Sequence, residues 1–349
     1  MAESPLPVPL RFLAAPAAMV YARVMARRNM AFDRGRGVVE LDRTVVSVGN
    51  LTLGGTGKTP MVKKIVRALQ AAGRSPAIAM RGYGARRGAS DEAEEYRAEL
   101  GEVPVVAQSN RLEGLLQLFA TPRGETVDTV VLDDGFQHRR IARQFDLVLV
   151  DASRQPLKDR IFPAGTLREP LESLARADAV VITHAESVAG SEVDHLQREL
   201  GAISGGIPVS VARHAWASLR VVESGTARAE PLTWLRGRRS TAACAIGNPR
   251  AFVEAVRQAT GAVVDEFIRP DHDPFAASTV GALVSGLTRS AAAAVVVTAK
   301  DWSKLRHVRP ELWPCPVVIP ELELRFDRGW ESLERSILEA SVPEDAGDA

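Results

Sequence analysis

The strongest constraint on this chain is a β-branched run that ends in glycine and leads, through a glycine-rich stretch, into a helical pattern. Val46-Ser47-Val48-Gly49-Asn50 is followed by Leu51-Thr52-Leu53-Gly54-Gly55-Thr56-Gly57-Lys58-Thr59-Pro60. The first run predicts a buried strand, and the glycines let the backbone curl behind it. Pro60 suits a first helical turn, where its missing N–H costs nothing. Val62, Ile65, Val66 and Leu69 then recur at helical spacing until Gly73 stops them. In such a segment successive N–H groups and the positive end of the helix face one anion site. Lys58 is placed to reach the β- and γ-phosphates of a nucleotide, and the Thr59 hydroxyl to meet Mg²⁺. Thr52, Gly54, Gly55, Thr56, Gly57, Lys58 and Thr59 are therefore the expected nucleotide-binding residues. The strict pattern G-x-x-x-x-G-K-[ST] is not met, because Thr52 stands five residues before Gly57. A plain glycine turn is the bland alternative, and the loop alone specifies a nucleotide phosphate without specifying a kinase.

Short β-branched runs alternate with helical stretches from residue 45 onward, which predicts a P-loop NTPase-like α/β fold with a doubly wound, mostly parallel sheet. Strands are expected at 44–48, 76–80, 127–132, 146–150, 179–183 and 207–211. Residues 220–239 are mixed, charged and glycine-containing, after which a second series begins. Its expected strands are 241–246, 293–298 and 317–319, with a helix at 252–260. The reading is of an N-terminal segment (1–35), a nucleotide-binding domain (36–212) and a smaller C-terminal α/β domain (213–349). At 349 residues two domains are expected in any case.

Two carboxylates follow a buried run in Val130-Val131-Leu132-Asp133-Asp134-Gly135-Phe136-Gln137-His138. Ligands of parallel α/β sheets sit beyond the carboxyl ends of strands, and an acid there can hold Mg²⁺ directly or through water. An Asp-Gly turn is the plain alternative. Ser90-Asp91-Glu92-Ala93-Glu94-Glu95 reads locally as an N-cap followed by acids at a helix start. His272, in Pro270-Asp271-His272-Asp273-Pro274, reads locally as a lone loop histidine.

Forty-four Lys and Arg against forty-three Asp and Glu leave a net charge of +1, so no overall field steers the molecule to nucleic acid. Cys244 and Cys315 are the only cysteines, with no C-x-x-C and no His at ligand spacing, which argues against a disulfide framework or a structural zinc. No protein partner is expected. Residues 10–25 are apolar but are interrupted by Arg11, Pro16 and Arg23, too soon for a spanning helix of about twenty residues. Leu10, Leu13, Ala14, Ala17, Tyr21, Val24 and Met25 share one helical face, with Arg11, Arg23 and Arg27 off it. That spacing predicts an interfacial helix lying on a membrane surface. The bland alternative is a helix packed on the protein itself.

Taken in order, these segments resemble the tetraacyldisaccharide 4'-kinase (lipid A 4'-kinase) family. The likeness also rests on Arg81-Gly82-Tyr83-Gly84, on Pro163-Ala164-Gly165-Thr166-Leu167-Arg168-Glu169-Pro170, on residues 177–183, on Ile246-Gly247-Asn248-Pro249 and on Thr298-Ala299-Lys300-Asp301. It implies transfer of the ATP γ-phosphate to the 4'-hydroxyl of a tetraacyldisaccharide 1-phosphate, forming lipid IVA at the cytoplasmic face of the bacterial inner membrane. It also implies two lobes with the active site between them and a peripheral or monotopic N-terminal helix. By motif, Asp91 is the implied general base, helped by His272, with Lys58 on the phosphates. Glu92, Asp133 and Asp134 are the implied acids around Mg²⁺, and Gln137 and His138 lie close to the phosphates or substrate. The chain departs from the family pattern at Ala93, Asp273 and Ala299, where proline, histidine and glutamate are usual. The rival readings are a P-loop ATPase chaperone and a small-molecule kinase of the same fold. A guanine-reading [NT]-K-x-D at 298–301 fails on spacing.

Overall fold

The structure is a computed structural model that describes residues 14–54, 56–82, 91–247, 249–262, 264–271 and 273–342, with Asp91 described in its backbone only. The chain forms two compact units, one running to His214 and resuming at Leu324, the other spanning Ala215–Glu323.

The first unit contains α1 (Ala14–Asp33), β1 (Thr44–Asn50), α2 (Lys58–Ala71), β2 (Pro76–Met80), α3 (Asp91–Leu100), β3 (Val105–Ala107), α4 (Arg111–Phe119) and the single turn α5 (Pro122–Glu125). It continues through β4 (Thr129–Asp133), β5 (Phe145–Asp151), β6 (Ala179–Thr183), α6 (Gly190–Ile203) and the first half of β7 (Val209–Glu223). Its sheet runs β7-β6-β5-β1-β4-β2-β3 with every pairing parallel. All residues of β1, β2, β4, β5 and β6 are buried, as a parallel sheet covered on both faces requires. β1 lies between β4 and β5, so successive crossovers diverge from it and leave a crevice at its carboxyl end.

The second unit continues with β8 (Thr226–Glu230), β9 (Ser240–Cys244), α7 (Pro249–Thr260), β10 (Val264–Ile268), α8 (Ala277–Ser290), β11 (Ala294–Val297), α9 (Ala299–Leu305) and most of β12 (Val317–Arg328). Within it β10-β9-β11-β12 is a parallel run, while β8 folds back antiparallel on β7 through Leu219–Glu230 and Glu223–Thr226 pairs. The stretch 220–239, which reads as mixed and charged, thus contains all of a hairpin but its first paired residue, Leu219. Leu219 and Val221 are buried there while their neighbours are at least partly exposed, an alternation that the charged residues conceal in the sequence.

The last helix, α10 (Trp330–Ala340), belongs to the first unit, the alternative that the sequence reading leaves open beside a smaller domain running to residue 349. The reason is packing: Leu333 and Ile337 are buried with Val62, Ile65 and Leu69 of α2 and with Tyr96 of α3.

α1 carries the stripe expected to meet lipid, of which Leu10 and Leu13 lie outside the described residues. Its Ala14 and Ala18 are buried, Ala17 and Met25 are half-buried, and Tyr21 meets Phe162 edge-on at 5.6 Å. Ala14, Ala17, Tyr21 and Met25 of that stripe therefore lie against the protein, where small alanines permit close approach, and Val24 of the same stripe does not. Met19, Val20 and Val24 face outward, each more than half exposed, beside exposed Arg23 and Arg27. No described helix is long and apolar enough to cross a membrane.

Removing the Ile337 side chain tests the return of α10. Ile337→Ala is expected to lower unfolding free energy by about 2–5 kcal/mol, the usual cost of a large-to-small core change. Urea denaturation of the full chain measures it, and a loss within error of zero would detach α10 from the core.

Candidate active site

The segment between β1 and α2 is held from both sides. Gly57 caps α2 at φ 81°, ψ 24°, a left-handed conformation open to glycine, and so turns the loop into the helix. The Leu53 N–H donates to the Thr166 carbonyl (2.8 Å), and the Arg168 N–H donates to the Leu51 carbonyl (2.7 Å). Arg154 Nη1 donates to the Leu53 carbonyl at 2.8 Å, and Thr183 Oγ1 donates to that of Thr56 at 3.0 Å. Within the loop, Asn50 Nδ2 donates to the Thr52 carbonyl, and its Oδ1 accepts from Lys58 Nζ at 3.2 Å. Lys58 therefore lies over the loop at the head of α2.

The carboxylates arrive at the same sheet edge. Asp133 ends β4 and is buried; its Oδ2 accepts from Tyr96 of α3 at 3.0 Å, and its Oδ1 has no hydrogen-bond partner. Burial raises its pKa, against the opposing charge of Lys58. Asp134 has a positive φ of 55° and behaves oppositely. Burial would raise its pKa, but Lys58, 3.6 Å away, and Arg168, whose Nη1 lies 2.9 Å from both carboxylate oxygens, outweigh that and hold it low. Glu92 joins the group electrostatically: burial and then the charge of Asp133 raise its pKa, with Lys58 opposing. Burial and then Asp133 push the Tyr96 phenol well up, with the Thr59 hydroxyl opposing.

α3 is steered to this place by a buried cation. Lys63 of α2 pairs with Glu95 at 2.5 Å and Glu99 at 2.7 Å, one turn apart on α3. Glu92 is thereby brought beside the start of α2. Asp91 is the first residue of that helix.

The turn after β4 is fixed through its carbonyls. Buried Arg111 donates to Asp134 O at 3.0 Å, while Arg143 donates to Gly135 O and His138 O. Gln137 Nε2 donates to Asn50 O at 3.0 Å, and its Oε1 accepts from Arg168. His138 is half-buried with Nε2 unpartnered; burial, then Arg111 and Arg143, push its pKa down to about 4.

The structure thus brings together Thr52, Gly54, Thr56, Gly57, Lys58, Thr59, Glu92, Asp133, Asp134, Gln137 and His138. Gly55, the Asp91 side chain and His272 lie outside the described residues. Sequence reading assigned no individual role to Asn50, Tyr96, Arg111, Arg143, Arg154 or Arg168. Arg168 had a signal, since it sits in the Pro163–Pro170 segment used for the resemblance; Tyr96 and Arg111 had none, because only tertiary packing aims them.

A sheet that diverges at β1, with a glycine loop and buried acids at that edge, defines a P-loop NTPase-like α/β protein. Known proteins narrow the class. The family model for tetraacyldisaccharide-1-P 4'-kinase matches residues 10–340, so the chain belongs to that family and is a kinase. It is 35% identical over 329 residues to the tetraacyldisaccharide 4'-kinase of Geobacter sulfurreducens, covering 89% of this chain and 88% of that one. It is 33% identical over 335 residues to that of Geobacter metallireducens, covering 91% and 95%. The crystal structure of LpxK from Aquifex aeolicus in complex with ATP superposes with a TM-score of 0.72 at 26% identity, covering 95% of this chain and 100% of that one. The chaperone and small-molecule readings find no support in these likenesses.

The depressed pKa of His138 has a sign that titration checks. An unfolded histidine takes a proton near pH 6.5, and the folded one only near pH 4. Its contribution to stability is therefore whole above about pH 6.5 and is lost as pH falls towards 4. In an NMR titration the His138 ring signals are expected to stay at their neutral positions down to about pH 4; a midpoint near 6.5 would contradict this environment.

Proposed function

We propose that this kinase moves the γ-phosphate of ATP to the 4'-hydroxyl of a tetraacyldisaccharide 1-phosphate, with Lys58 and the loop amides gripping the phosphates. The carrying observation is the buried Asp133 oxygen that has no hydrogen-bond partner, in the electrostatic field of Lys58 at the end of the strand beside β1. A buried acceptor left unmatched is costly, and a divalent cation satisfies it. Asp133, Glu92 and the Thr59 hydroxyl fit Mg²⁺, a hard cation that prefers oxygen ligands. When bound it neutralises charge on the phosphate oxygens. Both oxygens of Asp134 accept from Arg168, so we assign Asp134 to holding Arg168 and Lys58 rather than to the metal.

The rest of the rate comes from alignment and from a proton acceptor. A sugar hydroxyl is a poor nucleophile until its proton can leave, and a carboxylate within hydrogen-bond reach supplies that acceptor. We assign this role to Asp91, which precedes Glu92 at the start of α3. Incubation with γ-labelled ATP and a lipid A disaccharide 1-phosphate is expected to label the lipid, with Lys58→Ala inactive. Asp91→Ala is expected to lower kcat by about 10²–10⁴-fold with ATP affinity retained. Equal losses of ATP affinity and turnover would make Asp91 a phosphate or metal group, and no label on the lipid would overturn the function.

We further propose that the outward face of α1 rests on an anionic bilayer, because Met19, Val20 and Val24 are exposed beside Arg23 and Arg27. Replacing Val20 and Val24 by glutamate is expected to weaken binding to anionic liposomes in co-sedimentation without changing ATP affinity. Unchanged sedimentation would remove this surface from the reading.

A further inference from the structure

Behind the phosphate loop, on the side away from the acids, stands a second cluster that the phosphoryl-transfer chemistry does not use. His184 follows β6, Glu186 lies two residues further on, and His214 sits in the first half of β7. Ligand-capable atoms of all three lie within 4.8 Å of one another. His214 Nδ1 is buried without a hydrogen-bond partner and lies 3.9 Å from Glu186 Oε1. The other Glu186 oxygen accepts from the His214 backbone N–H at 3.0 Å, which fixes the carboxylate beside that ring. The two imidazoles face each other with centroids 4.1 Å apart and planes 33° from parallel.

The surroundings are those of a metal centre rather than of a chance histidine pair. His184 Nδ1 lies 3.5 Å from Oδ1 of buried Asp151 and 3.4 Å from Thr183 Oγ1. A carboxylate on one ring nitrogen orients the imidazole and leaves Nε2 as the outward ligand, the usual outer shell of a metal-bound histidine. Asp151 is itself held by Ser153 and Arg154.

We propose that His184, Glu186 and His214 form a binding site for one borderline divalent cation such as Zn²⁺, with the fourth position open to water. Two imidazoles and one carboxylate are a three-ligand zinc set, whereas Mg²⁺ prefers an all-oxygen octahedral shell. The absence of local ligand spacing, which argued against a structural zinc, does not bear on it, because β6 and β7 bring the ligands together from 30 residues apart. Its position couples it to the loop: a Cβ on Gly57 would meet His214 Nε2 at 2.6 Å, and Thr183, beside His184, holds the Thr56 carbonyl. An ion here restrains His214 against the turn that opens α2.

The test uses the full chain without nucleotide, titrated with Zn²⁺ against a chromophoric chelator. One tight equivalent is expected, lost in His184→Ala and in Glu186→Gln, and weakened about 10–100-fold in Asp151→Asn, the usual effect of removing an outer-shell partner. Surface His195, near Glu199, is the control: His195→Ala is expected to leave binding unchanged. Should the variants fold poorly, Co²⁺ added to the unsubstituted protein is expected to broaden the ring signals of His184 and His214 selectively. Absence of binding at micromolar Zn²⁺, binding that survives loss of His184, binding lost with His195, or broadening confined to other histidines would overturn the proposal.

Discussion

Lys58 meets its carboxylates because two stretches of backbone approach more closely than any side chain would allow. A Cβ on Gly49, in β1, would lie 2.4 Å from Phe136 Cβ and 2.6 Å from Phe136 N; a Cβ on Gly135 would lie 2.4 Å from Ser47 Oγ. All three distances are far inside ordinary contact. The two glycines let β1 and the turn after β4 touch, and the Gly135 N–H donates to Val48 O across the junction. Everything at the phosphate edge inherits its position from this contact: Asp134 is set near Lys58, Gln137 reaches Asn50, and Asp133 sits at the strand end within the field of Lys58. Either glycine replaced by a larger residue would force the two segments apart, at the cost of about 1–3 kcal/mol typical of overpacking and of the alignment itself.

Two adjacent aspartates placed in this way come under opposite electrostatic control. Unit charges about 4 Å apart attract by on the order of 4 kcal/mol at a partly buried site, before desolvation is counted. Desolvation of both partners takes back much of that gain, so the pairing of Asp134 with Lys58 and Arg168 fixes geometry more than it adds stability. Asp133 lacks such a partner and is left with a raised pKa and an unmatched oxygen. One acid is spent on holding cations of the protein, and its neighbour stays available to a cation from solution. The division follows from Lys58 and Arg168 together, since both lie against Asp134 and hold its carboxylate charged.

Legibility in the sequence followed chemical contiguity. The glycine loop, the Asp133-Asp134 pair and the strands from 44 to 183, the three-residue β3 excepted, lie in short unbroken runs whose period or composition is decided locally. Tyr96 was not legible, because α3 is a largely charged helix in which one tyrosine gives no stripe, and its role appears only once Lys63 has docked Glu95 and Glu99. Arg111 and Arg143 hold carbonyls of a turn 5–23 residues away in sequence, and nothing nearby marks them as buried. β7 and β12 outran their expected lengths because each changes environment midway, from a strand buried in one unit to a half-exposed strand in the other, so no single period describes them. The histidine pair was invisible for the same reason, being an adjacency of β6 and β7 rather than a spacing.

The apolar stripe of α1 meets two surroundings. The face carrying Ala14, Ala17, Tyr21 and Met25 is apolar because it packs on the first unit, and its neighbours there are the segments that shape the site. Arg28 donates to the Gln137 carbonyl at 2.7 Å, Asn29 donates to buried Glu169 at 2.7 Å, and Asp33 pairs with Arg139. Gln137 touches Asn50, and Glu169 follows Arg168, so the helix lies one residue from both contacts that steady the loop and Asp134. Deleting it would disturb phosphate binding together with any lipid contact and would report on neither. The outward residues Met19, Val20 and Val24 make none of these contacts, which is why substitutions confined to them separate a membrane surface from a structural brace.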